Sequence, residues 1–256
     1  MAASSALREI MTGTAAPAVV RGVFPTALYV DVGTDLVAVV SRDGLRLPCA
    51  LVVADPGTSG PFARIVDGAA ATVGDGAVAV GDQRFVVRRW WRPRRALAWH
   101  PGPQLTARSA ALEALLPPLP HALPADPGAW SPASMVGLGP GLTPAGDDVL
   151  AGMLLTLSAA PAAASTCGEL ATETLALLDR TTSLSATLLR HAAAGRGIPQ
   201  VLDLVDALAG SGDLEASAVH LVAVGHSSGA ALAHGVLAAS RMVAAAAGPH
   251  RDLQVA

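Results

Sequence analysis

Lysine is missing from this chain: all 17 basic residues are arginine. That absence excludes a Schiff-base lysine, and with it pyridoxal phosphate chemistry of the usual kind. It also excludes a phosphate loop of the G-x-x-x-x-G-K-[ST] type. Any phosphate must be held by backbone N–H groups, arginine or a metal. Aromatic residues are scarce, 3% against a hydrophobic fraction of 52%. The core must therefore be built from Ala, Val and Leu, whose small side chains favour closely packed helices. Cysteine is limited to Cys49 and Cys167, far apart and without a C-x-x-C partner, which predicts a buried pair of free thiols. Basic excess is lacking too: the formal net charge is −3, and no nucleic-acid partner is expected. Residues 1–11 carry Arg8 and Glu9 and no apolar signal core. The longest apolar run, 149–157, is too short to span a bilayer and is soon followed by Pro161. No membrane partner is expected, and the cytoplasm is the expected location.

What is present falls into two halves, and 256 residues can bury a large core. Up to about residue 91 the chain reads as short strands, at 19–24, 28–32, 36–40 and 47–53, then at 77–80 and 84–87 around Gly81-Asp82. Residues 101–132 are proline-rich, with a short helix near 107–116, and read as a surface connector. Helical patterning follows. Thr143 is placed to cap a helix with Pro144 at its first position, running to about residue 159. A long helix over 167–194 is expected to be capped by Gly195. Another covers 198–209, residues 214–224 fit either a helix or a buried strand, and a last helix covers 228–247. The expected fold class is α+β: a small N-terminal β-sheet or barrel (1–100), the connector (101–132), and a C-terminal helical domain (133–256).

Chemistry concentrates in the run Gly137-Leu138-Gly139-Pro140-Gly141-Leu142-Thr143-Pro144-Ala145-Gly146-Asp147-Asp148. Gly137, Gly139 and Gly141 allow tight turns and close approach to a ligand. The loop feeds a helix N-terminus, where free N–H groups and the helix dipole favour an anion; a well-capped tight turn is the plainer explanation. Two carboxylates beside an anion would repel it. Either a cation such as Mg²⁺ lies between them, with Asp147 and Asp148 as its ligands, or one acid points elsewhere. Consecutive helical residues diverge by about 100°, which favours one acid as ligand or base and the other as a partner of the helix dipole.

Gly225-His226-Ser227-Ser228-Gly229 matches G-x-S-x-G, the nucleophile elbow of α/β-hydrolases. The triad acid and histidine should follow the serine in that order, yet residues 228–256 offer only His234, His250 and Asp252, in the wrong order. The segment reads better as a loop in which Ser227 or Ser228 caps the final helix. Aligning Gly146 with Gly229 places Gly152 on Gly235, Leu154 on Leu237 and Thr143 on His226. Two equivalent helix starts could thus face one cleft, although Ala/Gly-rich sequence also produces such likeness by chance. The hydroxyl run Arg180-Thr181-Thr182-Ser183-Leu184-Ser185 predicts a break or a polar face in its helix. Within it Thr182, Ser183 and Ser185 are candidate ligands, and Arg180 could supply a planar fork to a carboxylate or phosphate. Arg84, Arg88, Arg89, Arg92, Arg94 and Arg95 flank Trp90 and Trp91; a solvated edge strand or a subunit interface accounts for them better than nucleic acid does.

The run 137–148 resembles the signature of the AllH family, and the 182–185 and 225–229 segments are similar to that family's later blocks. The resemblance implies a subunit of an oxamate carbamoyltransferase in purine (allantoin) catabolism, exchanging a carbamoyl group between carbamoyl phosphate and oxamate. It also implies companion subunits, including an FdrA-type protein that looks like an acyl-CoA synthetase subunit. One departure stands out: the family leads us to expect an acid two residues after Gly229, where this chain has Ala231. On this reading the substrate is a small anion bound by Gly137, Gly139, Gly141, Thr143, Gly146, Arg180, Thr182, Ser183, Ser185, Ser227 and Ser228. Asp147, Asp148 and His226 would carry the chemistry. A non-catalytic partner of an FdrA-type enzyme, or a metal-dependent hydrolase using Asp147, Asp148 and His226, are the competing expectations.

Overall fold

The computed structural model describes residues 1–120 and 123–247. His250 and Asp252, weighed above as triad members, lie outside the described residues. The architecture is α+β, a curled half-barrel sheet followed by a helical body. The strands are β1 (Ala2–Ser4), β2 (Ala16–Phe24), β3 (Ala27–Asp31), β4 (Leu36–Val40), β5 (Ala50–Val52), β6 (Ala70–Gly74), β7 (Ala77–Val80), β8 (Gln83–Val86) and β9 (Arg89–Trp91), with a short helix α1 (Arg8–Thr12) after β1. They form one sheet in the order β8-β7-β6-β2-β3-β4-β5-β1-β9. Pairings are antiparallel except β4 with β5 and β1 with β9.

Strand β4, Leu-Val-Ala-Val-Val, is buried at every position, as a central strand covered on both faces should be. The turn between β7 and β8 falls at Gly81, whose φ of 57° needs glycine's freedom. Two expectations are corrected here. The stretch 47–53 contributes only Ala50–Val52 to the sheet, because residues 47–50 turn, with the Ala50 N–H donating to the Leu47 carbonyl oxygen at 3.0 Å. Strands β1 and β6 carried no apolar-run signal: one is three residues long and the other is Ala-Ala-Thr-Val-Gly.

The helices are α2 (Leu105–Leu115), α3 (Pro132–Met135), α4 (Ala145–Ala159), α5 (Ala164–Leu175), α6 (Ser183–Ala193), α7 (Pro199–Leu208), α8 (Leu214–Val222) and α9 (Ser228–Ala247). Residues 214–222 thus resolve as helix, so no strand leads into the G-x-S-x-G segment and there is no nucleophile elbow. The single helix expected over 167–194 is split into α5 and α6, and the break, residues 176–182, ends in the hydroxyl run where α6 begins. Thr182 caps α6 by accepting a hydrogen bond from the Ser185 N–H at 3.1 Å. Gly195, with φ of 69°, ends α6 in the left-handed conformation. Helix α2, inside the proline-rich stretch, buries Leu105, Ser109 and Leu112 against α8 and α9.

Helices α4 and α9 form the centre of the body. A Cβ on Gly152 would lie 2.2 Å from the Leu232 carbonyl oxygen of α9, and one on Gly235 would lie 2.0 Å from the Val149 carbonyl oxygen of α4. The two helices therefore cross with glycine on each side of the contact. Gly146 and Gly229 repeat the pattern one step earlier: their missing Cβ atoms leave room for the carbonyl oxygens of Met135 and Leu221. These are the pairs matched by the internal sequence likeness, and the packing gives that likeness a physical meaning. Helix α9 is also long and apolar enough to span a membrane by length and composition, and 56% of that apolar window is buried inside the molecule. Cys49 is fully buried and burial pushes its thiol up to about 12, whereas Cys167 is only half-buried. The expectation of two buried thiols holds for the first alone.

Candidate functional site

Sheet and helices meet around a cavity of about 650 Å³. Phe24, Tyr29, Leu45 and Leu47 form the sheet wall, and Ala151, Leu155, Leu184, Leu188 and Val201 form the helical wall. The turn between β3 and β4 is tied to α6 by Arg190, whose Nη1 donates to the Thr34 carbonyl oxygen at 2.6 Å and lies 3.7 Å from Asp35. Much of the lining is apolar. Polar groups gather at one corner, where the 137–148 loop meets the loop before α9.

That corner is built from two helix starts. Pro144 is the N-cap of α4 and makes no side-chain cap. The Thr143 hydroxyl, expected to cap this helix, instead lies 2.9 Å from the Ser228 hydroxyl. This bond clasps the beginnings of α4 and α9 together across the cavity. Among the described residues, the N–H groups of Gly139, Gly141, Leu142 and Thr143 donate to no other protein group. The same holds for Gly225, His226 and Ser227 in the second loop. Positive φ angles at Gly137 (76°), Gly139 (115°) and Gly141 (94°) give the first loop its shape. Gly141, Thr143, His226, Ser227 and Ser228 all line the cavity.

The adjacent carboxylates go to different places. Asp147 is buried with 1% exposure. It accepts hydrogen bonds from the Gly137 N–H at 2.8 Å, from the Ser185 hydroxyl at 2.7 Å, and from the Thr181 hydroxyl. It thereby fastens the glycine loop to the start of α6, away from the cavity. Asp148 lines the cavity with 6% exposure, and its Oδ2 has no hydrogen-bond partner. Burial raises its pKa well above the usual carboxylate value; a Ser228 hydrogen bond opposes the shift and the nearby Asp147 adds to it. An acid so placed favours its neutral form, which can donate a hydrogen bond.

The remaining sequence candidates surround the cavity without lining it. Gly146 serves helix packing. Gly137 presses on the Arg180 carbonyl, to which a Cβ would come within 2.2 Å. Arg180 is exposed, and its Nη1 donates to the Ala133 carbonyl oxygen at 3.0 Å. The Thr182 hydroxyl donates to the Leu142 carbonyl and so braces the glycine loop from α6. Ser183 is half-buried and its carbonyl accepts from Thr187 at 2.8 Å, while Ser185 is committed to Asp147. Ala231, where an acid was expected, is fully buried in α9.

A Mg²⁺ ion finds little support in this set. Both Asp147 oxygens already accept hydrogen bonds, Asp148 is desolvated, and no three His, Cys, Asp or Glu side chains cluster among the described residues. Two lining residues carried no sequence signal. Tyr29 has its phenol pushed up to about 12, chiefly by burial and then by Cys49, so it remains a hydrogen-bond donor. Arg196 stands in the turn between α6 and α7, where nothing in its neighbours announces a ligand.

Beyond the cavity, β9 forms one edge of the sheet, and Arg8 stacks over Trp90 at 4.4 Å from the ring centroid. The Arg/Trp segment is thus partly an internal brace.

No curated protein and no solved structure matches this chain. Residues 135–240 match the family described as oxamate carbamoyltransferase subunit AllH. The match takes in the glycine loop, both acids, the break before α6 and the clasped starts of α4 and α9. Over those residues, the chain is similar to the AllH family.

Proposed function

We propose that this chain is the subunit of a carbamoyltransferase that holds a small anion at the clasped helix starts, with carbamoyl phosphate and oxamate as the reactants. The observation that carries the reading is the Thr143–Ser228 bond, which holds two loops with unpartnered N–H groups together at one corner of a cavity. Each helix start carries roughly half a positive charge, and two together suit a phosphate better than one. The lysine-free composition leaves backbone N–H groups and arginine for this task. The acids do not spoil it: Asp147 is turned away to its own donors, and burial biases Asp148 towards its uncharged form.

In the transfer, the amide nitrogen of oxamate attacks the carbamoyl carbon, the C–O bond to phosphate breaks, and the nitrogen's proton passes to the departing phosphate. Backbone N–H groups of the glycine loop stabilise charge on that phosphate. Neutral Asp148 donates a hydrogen bond to the carbamoyl carbonyl oxygen, and exposed His226 carries the proton at the cavity mouth. Close placement of two reactants in one cavity supplies much of the rate. The setting is cytoplasmic purine (allantoin) catabolism, in a complex with an FdrA-type subunit. The Asp147/Asp148/His226 metallohydrolase has less support, because Asp147 does not line the cavity that Asp148 and His226 share.

Carbamoyl phosphate should raise the melting temperature of the isolated chain in a concentration-dependent way. In the assembled enzyme, Asp148→Leu should lower turnover by about 100-fold. A melting temperature indifferent to carbamoyl phosphate would remove the basis of this reading.

A further inference from the structure

The cavity has a second polar pole. Arg196 lines it, and its Nε is buried without a hydrogen-bond partner. Among the described residues no carboxylate pairs with its guanidinium. The neighbouring acids are already taken: Arg94 binds both Asp203 and Asp206, and Asp35 lies beside Arg190. Arg95, whose backbone bridges to Arg196, adds positive charge, and His191 is held neutral by burial. A half-buried guanidinium bordering a largely apolar cavity, with no carboxylate partner among the described residues, is expected to recruit an anion.

Its position relative to the first pole is informative. Gly197 packs on Leu155, where a Cβ would come within 2.8 Å of Leu155 Cδ1. Leu155 lies about two turns along α4 from Asp148, roughly 10 Å at ~1.5 Å per residue. Apolar side chains line the space between. Two small molecules placed end to end span such a gap, each with its charged end outward and its neutral end at the middle.

We propose that Arg196 is a second anion site of this cavity, and that its ligand is a carboxylate of a small 2-oxo or amide-bearing acid, the acceptor of the transferred group. This rests on the carbamoyl-transfer reading for the identity of the acceptor. The planar guanidinium fork grips both carboxylate oxygens and directs the acceptor's amide towards the Asp148 corner. Arg196 is thus the residue that makes the acceptor site select a carboxylate.

Oxamate and oxamide differ only in whether that end is a carboxylate or an amide, and so form the natural probe pair. Calorimetry on the full chain should show oxamate binding at least about tenfold tighter than oxamide. Arg196→Gln should bring the ratio to about one, and Arg196→Lys, which keeps the charge but not the fork, should retain part of it. Circular dichroism checks that each variant is folded; if Arg196→Gln is not, loss or retention of preference in Arg196→Lys decides. An unchanged ratio in the folded variants overturns the assignment. Inorganic phosphate serves as the independent probe of the helix starts. Phosphate binding with an Arg196-insensitive oxamate preference refutes this site alone, an Arg196-dependent preference without phosphate binding refutes the helix-start reading alone, and a wild type that binds neither refutes both.

Discussion

At the scale of single residues, neighbours in sequence have opposite tasks. Asp147 and Asp148 are successive residues of one helix, and the ~100° rotation between them sends one to the α6 start and the other to the cavity. The sequence made that divergence readable but not its direction, because the deciding partners, Gly137, Thr181 and Ser185, come from other elements. Asp148 also gives a pH prediction. Its folded-state pKa is raised by burial. Its contribution to stability is therefore fully present below the unfolded carboxylate value near 3.8 and is lost as pH rises towards the folded value. Asp148→Asn removes the ionisation. Thermal melts should show the variant near wild type at low pH and progressively more stable as pH rises, with the gain levelling once wild-type Asp148 ionises in the folded protein. A gain that shrinks with rising pH would mean that Asp148 is held as a carboxylate. His191 has the opposite sign: burial lowers it to about 4, so its share of stability is present above the unfolded value of 6.5 and fades as pH falls from there towards 4.

At the scale of elements, the α4–α9 crossing positions the site. Its two glycines bring the helices close enough for Thr143 and Ser228 to meet. Replacing either with alanine should help the helix locally by up to ~1 kcal/mol. The new Cβ, however, would meet backbone, the Leu232 carbonyl oxygen at 2.2 Å for Gly152 or the Val149 carbonyl oxygen at 2.0 Å for Gly235. Backbone cannot rotate away, and the helices must part. Denaturant unfolding should give a net loss of about 1–3 kcal/mol for Gly152→Ala or Gly235→Ala. Either variant should also weaken phosphate binding by separating the clasped helix starts. Variants at or above wild-type stability would show that this close approach is not needed. The glycine spacing was legible because close helix packing demands glycine at fixed intervals. Residues 228–247 read directly as helix for a related reason: the segment is long and uniformly made of helix-compatible residues. The α5–α6 break was signalled by its hydroxyls, but its place depended on the Asp147 and Leu142 contacts that those hydroxyls make.

At the scale of the whole molecule, the cavity belongs to neither half alone. The sheet half gives Phe24, Tyr29 and Leu47, the helical half gives Asp148, Leu155 and Arg196, and the polar corner comes from two loops far apart in sequence. The glycine loop was legible because tight turns restrict residue type so strongly. Arg196 and Tyr29 were not, because an arginine or tyrosine in a turn or strand looks the same whether it faces solvent or a site across an interface. The division of labour makes the junction between halves a control point. Arg190 links α6 to the β3–β4 turn through the Thr34 carbonyl at 2.6 Å and Asp35 at 3.7 Å. It is partly exposed, with 38% of its side chain accessible, so Arg190→Ala should cost only about 0.5–1.5 kcal/mol of global stability. Its effect on the junction should be larger than that cost suggests, because the β3–β4 turn loses its tether while both hydrophobic layers remain intact. Hydrogen exchange should accelerate across residues 31–36 while α4 and α9 keep their protection. Oxamate affinity should fall as the Tyr29 wall shifts. Exchange that rises equally in every element would instead mean that sheet and helices unfold as one unit and that Arg190 is an ordinary surface contact.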